Sequence, residues 1–284
     1  MATILDGKAV SAKVKEEVKN EVQDLNKKGY SVGLAVIIVG NNPASRTYVN
    51  NKKKACENAG IKSFEYALPE ETTMEELLSL IHKLNENKEV HGILCQLPLP
   101  KHLDEKEVIA AIREDKDVDA FSAKNVGHIM IGDYAFLPCT PAGIMEILKE
   151  YNLSPAGKNC VVVGRSNIVG KPMAMLLLQQ NGTVTVCHSK TVHLENYTKN
   201  ADILVAAVGI PKFIKADMVK EGAVVIDVGM DRDENGKLCG DVDFAEVEKV
   251  ASYITPVPGG VGPMTIATLL KNTVTAAKQA YGLL

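Results

Sequence analysis

Val161-Val-Val-Gly-Arg-Ser-Asn-Ile-Val-Gly-Lys-Pro172 runs an apolar β-branched segment straight into a glycine, and a second glycine then opens a stretch of helical spacing. A strand turning into a helix is the building unit of a parallel sheet. Glycines at 164 and 170 mark points where the backbone turns tightly or comes close to a ligand. The loop departs from both standard phosphate cradles. Against G-x-G-x-x-G, Ser166 stands at the second glycine and the last glycine comes one residue late. Against the P-loop, the interval from Gly164 to Lys171 is one residue too long, and Pro172 replaces the hydroxyl residue that holds magnesium. By itself the loop fits a cofactor cradle and an ordinary strand-to-helix turn equally well.

Outward from the loop, Thr183 to Cys187 reads as the second strand of the same sheet. Sites that prefer NAD place an Asp or Glu ~20 residues on, at the end of that strand, to bind the ribose 2′-hydroxyl. Here the position reads Cys187-His188-Ser189-Lys190, without an acid. With Arg165 in the loop, Ser189 and its neighbours suit the 2′-phosphate of NADP. The bland alternative is a solvated polar turn.

The same rhythm extends in both directions. Around the loop lie helix Thr140 to Tyr151, strand Cys160 to Val163 and helix Val169 to Gln180, then strands at Ile203 to Ala207 and Ala223 to Val228. An earlier series runs helix Gly7 to Lys28, strand Val32 to Val39, helix Ser45 to Ala59, strand Ile61 to Ala67, helix Met74 to Asn85, strand Gly92 to Cys95 and helix Glu105 to Arg113. This alternation predicts an α/β protein of two α/β domains, the second a Rossmann-like doubly wound parallel sheet. Pro138, Pro141 and Pro155 punctuate the middle, so the boundary is expected near residue 138. On pattern alone the last helix, Thr265 to Tyr281, could close either domain.

Composition narrows the function classes. The chain has 284 residues, 46% hydrophobic and 24% charged, which argues against disorder, collagen and coiled coil. The balance of 32 Lys plus Arg against 35 Asp plus Glu, a net charge of -3, offers no basic field for nucleic acid. Met1 to Val10 lacks a secretory leader, and apolar runs such as Leu34 to Val39 are far too short to span a membrane. Six cysteines, at 56, 95, 139, 160, 187 and 239, form no C-x-x-C pair. They read as reduced core thiols of a cytoplasmic protein, with neither a disulfide framework nor a metal.

Tyr48 and Lys52 lie four apart on the helix Ser45 to Ala59 and share a face, while Lys53 and Lys54 point elsewhere. A run of three lysines is most often a solvated face. The strand His91-Gly-Ile-Leu-Cys-Gln96 sharpens the reading, because it ends in an amide at the carboxyl edge where α/β sheets bind ligands. Leu97-Pro-Leu-Pro100 then forces an extended path. Gln96 there can bind a ligand or a lysine, or cap exposed backbone. Asp115-Lys-Asp117-Val-Asp119 sets acids beside Phe121 and could equally be an exposed turn. Pro256-Val-Pro-Gly-Gly260-Val-Gly-Pro-Met-Thr265 fixes an unusual backbone just before a helix, as ligand-lining loops do.

Taken together these segments resemble the bifunctional methylenetetrahydrofolate dehydrogenase/cyclohydrolase family, known as FolD. The resemblance rests on Ile4-Leu-Asp-Gly-Lys8, Tyr48-x-x-x-Lys52, Gln96-Leu-Pro-Leu-Pro100, Asp117-Val-Asp119, Gly164-Arg-Ser-x-x-Val-Gly170, Asp227-Val-Gly229 and Pro258-Gly-Gly-Val-Gly-Pro-Met-Thr265, in that order. One departure is Ala120, where the family usually carries glycine. The resemblance implies NADP-linked oxidation of 5,10-methylenetetrahydrofolate to the methenyl form, followed by hydrolysis to 10-formyltetrahydrofolate. It implies catalytic Lys52, Tyr48, Gln96 and Asp119. Tyr48, Gln96, Leu97, Pro98, Asp119, Gly259, Gly260, Pro263 and Thr265 would bind folate, and Gly164, Arg165, Ser166, Gly170, Ser189, Gly229 and Met230 would bind the cofactor. It further implies a homodimer serving one-carbon metabolism and purine biosynthesis. The domains become 1–137 with 267–284 for folate, and 138–266 for NADP.

The residue types suit that chemistry. Hydride transfer needs positioning above all. In the hydrolysis a lysine can take a proton from water and return one to a ring nitrogen only if it is neutral part of the time. Gln96 would orient the amine, Tyr48 would offer a flat face and a hydroxyl, and a carboxylate such as Asp119 accepts the paired donors of a pterin edge. A shikimate or amino-acid dehydrogenase would share the architecture but not require Tyr48, Gln96 and Gly259-Gly260 together. A nucleotide-sensing regulator would bind without turnover.

Overall fold

The structure, a computed structural model, describes residues 1–284, the side chain of residue 44 excepted. In chain order the elements are β1 (Thr3–Ile4), α1 (Gly7–Lys27), β2 (Gly33–Val39), α2 (Pro43–Ala59), β3 (Lys62–Leu68), α3 (Met74–Glu86), β4 (Gly92–Cys95), α4 (Glu105–Ala111) and α5 (Ala123–Ile131). There follow α6 (Cys139–Glu150), β5 (Asn159–Val163), α7 (Gly170–Gln179), β6 (Thr183–Cys187), α8 (Glu195–Thr198), β7 (Ile203–Ala206), β8 (Val224–Asp227), β9 (Asp231–Arg232), β10 (Leu238–Cys239), α9 (Phe244–Val247), β11 (Tyr253–Ile254) and α10 (Val261–Ala280). The chain divides into two compact units, one of Lys13–Leu137 with Ile266–Leu284, the other of Met1–Ala12 with Pro138–Thr265.

In the first of these, β2 pairs in parallel with β3 on one side and β4 on the other. Every residue of β2, Gly-Leu-Ala-Val-Ile-Ile-Val, is buried, as befits a central parallel strand covered on both faces. Ala35, Ile37 and Val39 pack with Leu77, Ile81 and Leu84 of α3 and with Ile93 and Cys95 of β4. A reciprocal cap between Thr73 and Glu76 starts α3. At its other end the buried Lys116 ammonium donates to the carbonyls of Leu84 and Asn87. The last helix is tied in by the Asn272 amide, which donates to Val118 O and Leu137 O, each at 2.8 Å.

The other unit holds a parallel six-stranded sheet in the order β1-β11-β8-β7-β5-β6. From β5 the chain steps outward to β6, then returns past β5 to β7 and continues the other way. That reversal is the topological switch point of a doubly wound sheet, the Rossmann-like form the alternation predicts. Val161, Val163, Leu204, Ala206, Val225 and Ile254 form its core with Ile214 and Val247.

Several elements differ from the sequence reading. Helix α10 begins at Val261 rather than Thr265. Pro263 sits in its first turn, where a missing N–H breaks no helical bond. Helix α5 is additional: Ser122 caps it by accepting from Asn125 N, and Gly132 closes it in the left-handed conformation. Residues 1–12, expected with the chain up to 137, lie in the six-stranded unit, where Ile4 pairs with Ile254 at the sheet edge. All six cysteines are free, five of them buried. Among the described residues no helix is long and apolar enough to cross a membrane.

Candidate active site

In the three-stranded unit, α2 presents Tyr48 and Lys52 one turn apart. Tyr48 is 41% exposed, which leaves much of its ring surface open to a flat ligand. The Lys52 ammonium donates to Gln96 Oε1 at 2.9 Å. The amide of Gln96 is fixed from its other end, because its Nε2 donates to Leu97 O at 2.7 Å. Its backbone N–H continues the sheet ladder onto Ile37 O. The amide oxygen is thereby left for the lysine. Of the neighbouring cations, Arg46 and Lys53 both turn to Glu65 on β3, at 2.8 and 3.6 Å. Lys52 instead is committed to the sheet edge.

Asp119 lies close to the same edge. Ile93 of β4 bridges in parallel to Asp117, and the chain turns immediately after it, with Ala120 N donating to Asp117 O at 3.0 Å. The Asp119 charge acts on the Cys95 thiol, which burial chiefly and Asp119 secondarily push up to about 12. Asp117 serves the backbone instead. Buried, it accepts from Ser122 N at 2.8 Å and Asn125 Nδ2 at 2.9 Å, holding the turn into α5. Ala120 is fully buried with φ +56°, the left-handed region that glycine occupies without strain. That backbone is one glycine adopts freely, which suits the family's usual glycine at this position.

In the six-stranded unit the loop after β5 is shaped by contact with the loop after β7. A Cβ on Gly164, at φ +139°, would fall 2.3 Å from Ala207 O, and one on Gly170 would fall 2.2 Å from Gly164 O. Both glycines allow close approach at the switch point. The Ser166 hydroxyl accepts from Val169 N at 3.1 Å and Gly170 N at 3.3 Å, so it stabilises the entry to α7. Arg165 is exposed beside it. After β6 the turn is set by His188, whose N–H donates to Thr191 Oγ1 at 2.8 Å and whose Nδ1 accepts from Lys190 N at 3.2 Å. That arrangement leaves Ser189 and Lys190 on the surface, with no acid among them. The loop after β7, Val208-Gly209-Ile210, belongs to the same crevice by topology and was not singled out from sequence. Its signal was the Gly209-Ile-Pro211 turn directly following an apolar strand.

The remaining loops of this unit interlock. A Cβ on Gly229 would sit 2.3 Å from Asp241 N, and Met230 is 45% exposed beside Gly262. Gly259, at φ +114°, lies over the Lys8 side chain. Lys8 N donates to Gly259 O at 3.0 Å, and the Ser11 hydroxyl donates to Pro263 O at 2.8 Å. A Cβ on Gly7 would fall 1.8 Å from Gly260 O. The Asp6 carboxylate caps α1 by accepting from Lys8 N and Ala9 N. Asp6-Gly-Lys8 is therefore the seat on which the turn carrying Gly259, Gly260 and Pro263 rests. Thr265 lies half-buried in the first turns of α10.

Two family models match this chain. One describes the tetrahydrofolate dehydrogenase/cyclohydrolase NAD(P)-binding domain, over residues 138–281, and the other the catalytic domain of the same enzymes, over residues 5–119. A bifunctional protein FolD of Acetivibrio thermocellus is 66% identical over 277 residues, spanning 98% of this chain and 97% of that relative. The crystal structure of the bifunctional FolD enzyme from Campylobacter jejuni superposes with a TM-score of 0.97 at 55% identity, covering 98% of this chain and 99% of that one. The Trypanosoma brucei dehydrogenase-cyclohydrolase, complexed with NADP cofactor and an inhibitor, gives 0.94 at 40% identity over 99% and 98% of the two chains. On sequence, fold and the residues at both sheet edges, the chain belongs to the tetrahydrofolate dehydrogenase/cyclohydrolase family.

Proposed function

We propose that this chain performs its family's two reactions with Lys52, Gln96, Tyr48 and Asp119 as the chemical and substrate-holding groups. The observation that carries the reading is the Lys52 to Gln96 hydrogen bond at the carboxyl edge of β4. The enzyme oxidises 5,10-methylenetetrahydrofolate with NADP, then hydrolyses the methenyl product to 10-formyltetrahydrofolate. NADP, when bound, takes the hydride. Gly164, Arg165, Ser166, Gly170, Ser189, Gly229 and Met230 hold it, and the absence of an acid after β6 suits its 2′-phosphate.

In the hydrolysis, water adds to the cationic one-carbon centre and gives its proton to the Lys52 amine. The same nitrogen then protonates the ring nitrogen that departs as the carbon–nitrogen bond breaks, and the adduct's remaining hydroxyl proton is released to solvent as the formyl carbonyl forms. Gln96 accepts one of the amine's N–H groups and so fixes the direction from which the lone pair acts. Tyr48 stacks against the folate ring, with Leu97 and Pro98 beside it, and Asp119 accepts the paired N–H donors of the pterin. Gly259, Gly260, Pro263 and Thr265 line the folate path. The unit of Lys13–Leu137 with Ile266–Leu284 carries the main folate-holding groups, and the unit of Met1–Ala12 with Pro138–Thr265 holds NADP. The enzyme works as a cytoplasmic homodimer, a reading its six free cysteines suit, and purine synthesis is a consumer of its product.

The test offers purified protein methylenetetrahydrofolate with NADP or with NAD and follows methenyl absorbance. A rise and later fall with NADP is expected. A flat trace with both cofactors removes the reading and leaves a sensor that binds without turnover.

A further inference from the structure

Asp227 ends β8 and Asp241 follows β10 by two residues, and both side chains are buried, at 2% and 0% exposure. The proposed mechanism uses neither. Asp227 Oδ1 accepts from Gly229 N at 3.0 Å and Asp241 N at 2.9 Å, and its Oδ2 accepts from Val242 N at 3.0 Å. Asp241 Oδ2 accepts from Val208 N at 2.7 Å and its Oδ1 from Ile210 N at 2.9 Å. The loop after β7 is thus bound to the segment 240–242, which is bound in turn to the loop after β8. The Asp227 backbone N–H is itself held by Thr255 Oγ1 at 2.7 Å, so the exit from β11 joins the same assembly.

The glycines around the pair fit this design. A Cβ on Gly240 would fall 2.0 Å from Asp227 Oδ2, and one on Gly229 would fall 2.3 Å from Asp241 N. Neither loop can approach its carboxylate with a side chain in the way. Ala207, one residue before the clamped Val208, is also the residue whose carbonyl Gly164 must clear. Placement therefore runs from Gly229 through the two aspartates to the switch point between β5 and β7.

We propose that Asp227 and Asp241 are positioning residues for NADP, acting through backbone N–H groups to hold the loops after β7 and β8 in binding geometry before the cofactor arrives. A carboxylate offers both oxygens to two or three backbone donors at once, which an amide with a single oxygen cannot. In Asp241→Asn only one side-chain atom still accepts, and the NH₂ faces a backbone N–H. The loop after β7 loses a tether, and preorganisation for the dinucleotide goes with it. This rests on the reading of that edge as the NADP site.

The test compares the full-length wild type with Asp241→Asn and Asp227→Asn in three assays: NADPH titration by fluorescence, NADP-dependent oxidation of methylenetetrahydrofolate, and cofactor-free hydrolysis of methenyltetrahydrofolate. The Kd for NADPH and the KM for NADP are expected to rise about tenfold or more, with folate KM and hydrolysis within about twofold of wild type. An unchanged NADPH Kd overturns the proposal. So does a parallel loss of oxidation and hydrolysis, the mark of a merely structural role. Should the variants fail to fold, amide exchange on the wild type decides: the N–H groups of Val208, Ile210 and Gly229 are expected to be protected before NADP is added. Rapid exchange in the free protein, with protection only after NADP, overturns preorganisation. A wild type that neither binds nor reduces NADP removes the cofactor reading along with it, whereas a wild type that does, with unaffected variants, removes this proposal alone.

Discussion

Lys52→Met keeps the length of the side chain and its apolar stem while removing the amine and its bond to Gln96. General acid–base catalysis is worth roughly 10²–10⁴-fold, so methenyltetrahydrofolate hydrolysis is expected to drop by at least about a hundredfold. NADPH binding, followed by fluorescence, should stay near wild type. Hydrolysis at the normal rate would show that the proton moves by another route. Arg165 poses a separate question, because it reaches for a phosphate that NAD lacks. A charge-assisted hydrogen bond contributes roughly 1.5–3 kcal/mol, so Arg165→Ala should lower the ratio of catalytic efficiencies, NADP over NAD, by about one to two orders of magnitude. A ratio indifferent to the substitution would place phosphate recognition elsewhere. At this scale the sequence was informative where one residue type has one use. It gave Ser166 to the cofactor without showing that its hydroxyl also caps a helix entry, and it left Asp117 as a possible exposed acid where the carboxylate is buried and holds a turn. Side-chain oxygens serve backbone and ligand alike, and only geometry separates the two.

The first turn of α1 shows how an element can be required for a site it does not chemically serve. Gly7→Ala would drive a methyl to 1.8 Å from Gly260 O, so the helix and the turn at 259–260 have to part. Expected consequences are a loss of at least about 2 kcal/mol in urea unfolding and a raised folate KM. Unchanged values of both would mean the turn is set by α10 alone. Strand β2 and the Cys160–Val163 stretch of β5 were legible because a doubly covered parallel strand runs apolar through its buried positions. Helix α5 was not, since Gly127 at its centre and polar Lys124 and Asn125 weaken any helical pattern, and the caps at Ser122 and Gly132 define it instead. The β1 and β11 strands are two residues long each, too short for a period of two to register. Pro263 hid the true start of α10 because proline is read as a stop until its place in the first turn is known.

For the whole molecule, acid stability is governed in part by His91, almost wholly buried at the entry to β4. Its Nδ1 accepts from Gly33 N at 3.1 Å, and the ring of Tyr281 from the end of the chain lies 5.1 Å away. Burial first, then the charges of Lys116 and Lys62, lower its pKa from 6.5 to about 4. The folded state therefore refuses a proton that the unfolded chain accepts, and stability is lost as pH falls from about 6.5 to about 4. At about 1.4 kcal/mol per pH unit the loss is roughly 3 kcal/mol. In His91→Gln, denaturant unfolding across that window should show a correspondingly flatter pH dependence; equal slopes would exclude the histidine as the cause. Tyr281 also has a place in the order of synthesis. The unit of Lys13–Leu137 is completed by Ile266–Leu284, through Asn272 on Val118 and Leu137, Lys278 on Glu21 and Tyr281 on Ser31. Its first 125 residues leave the ribosome on the order of ten seconds before the helix that finishes them, at ordinary elongation rates. For that interval a nascent sheet stands without its closing helix, so loss of Ile266–Leu284 is expected to be a folding lesion rather than a trimmed tail.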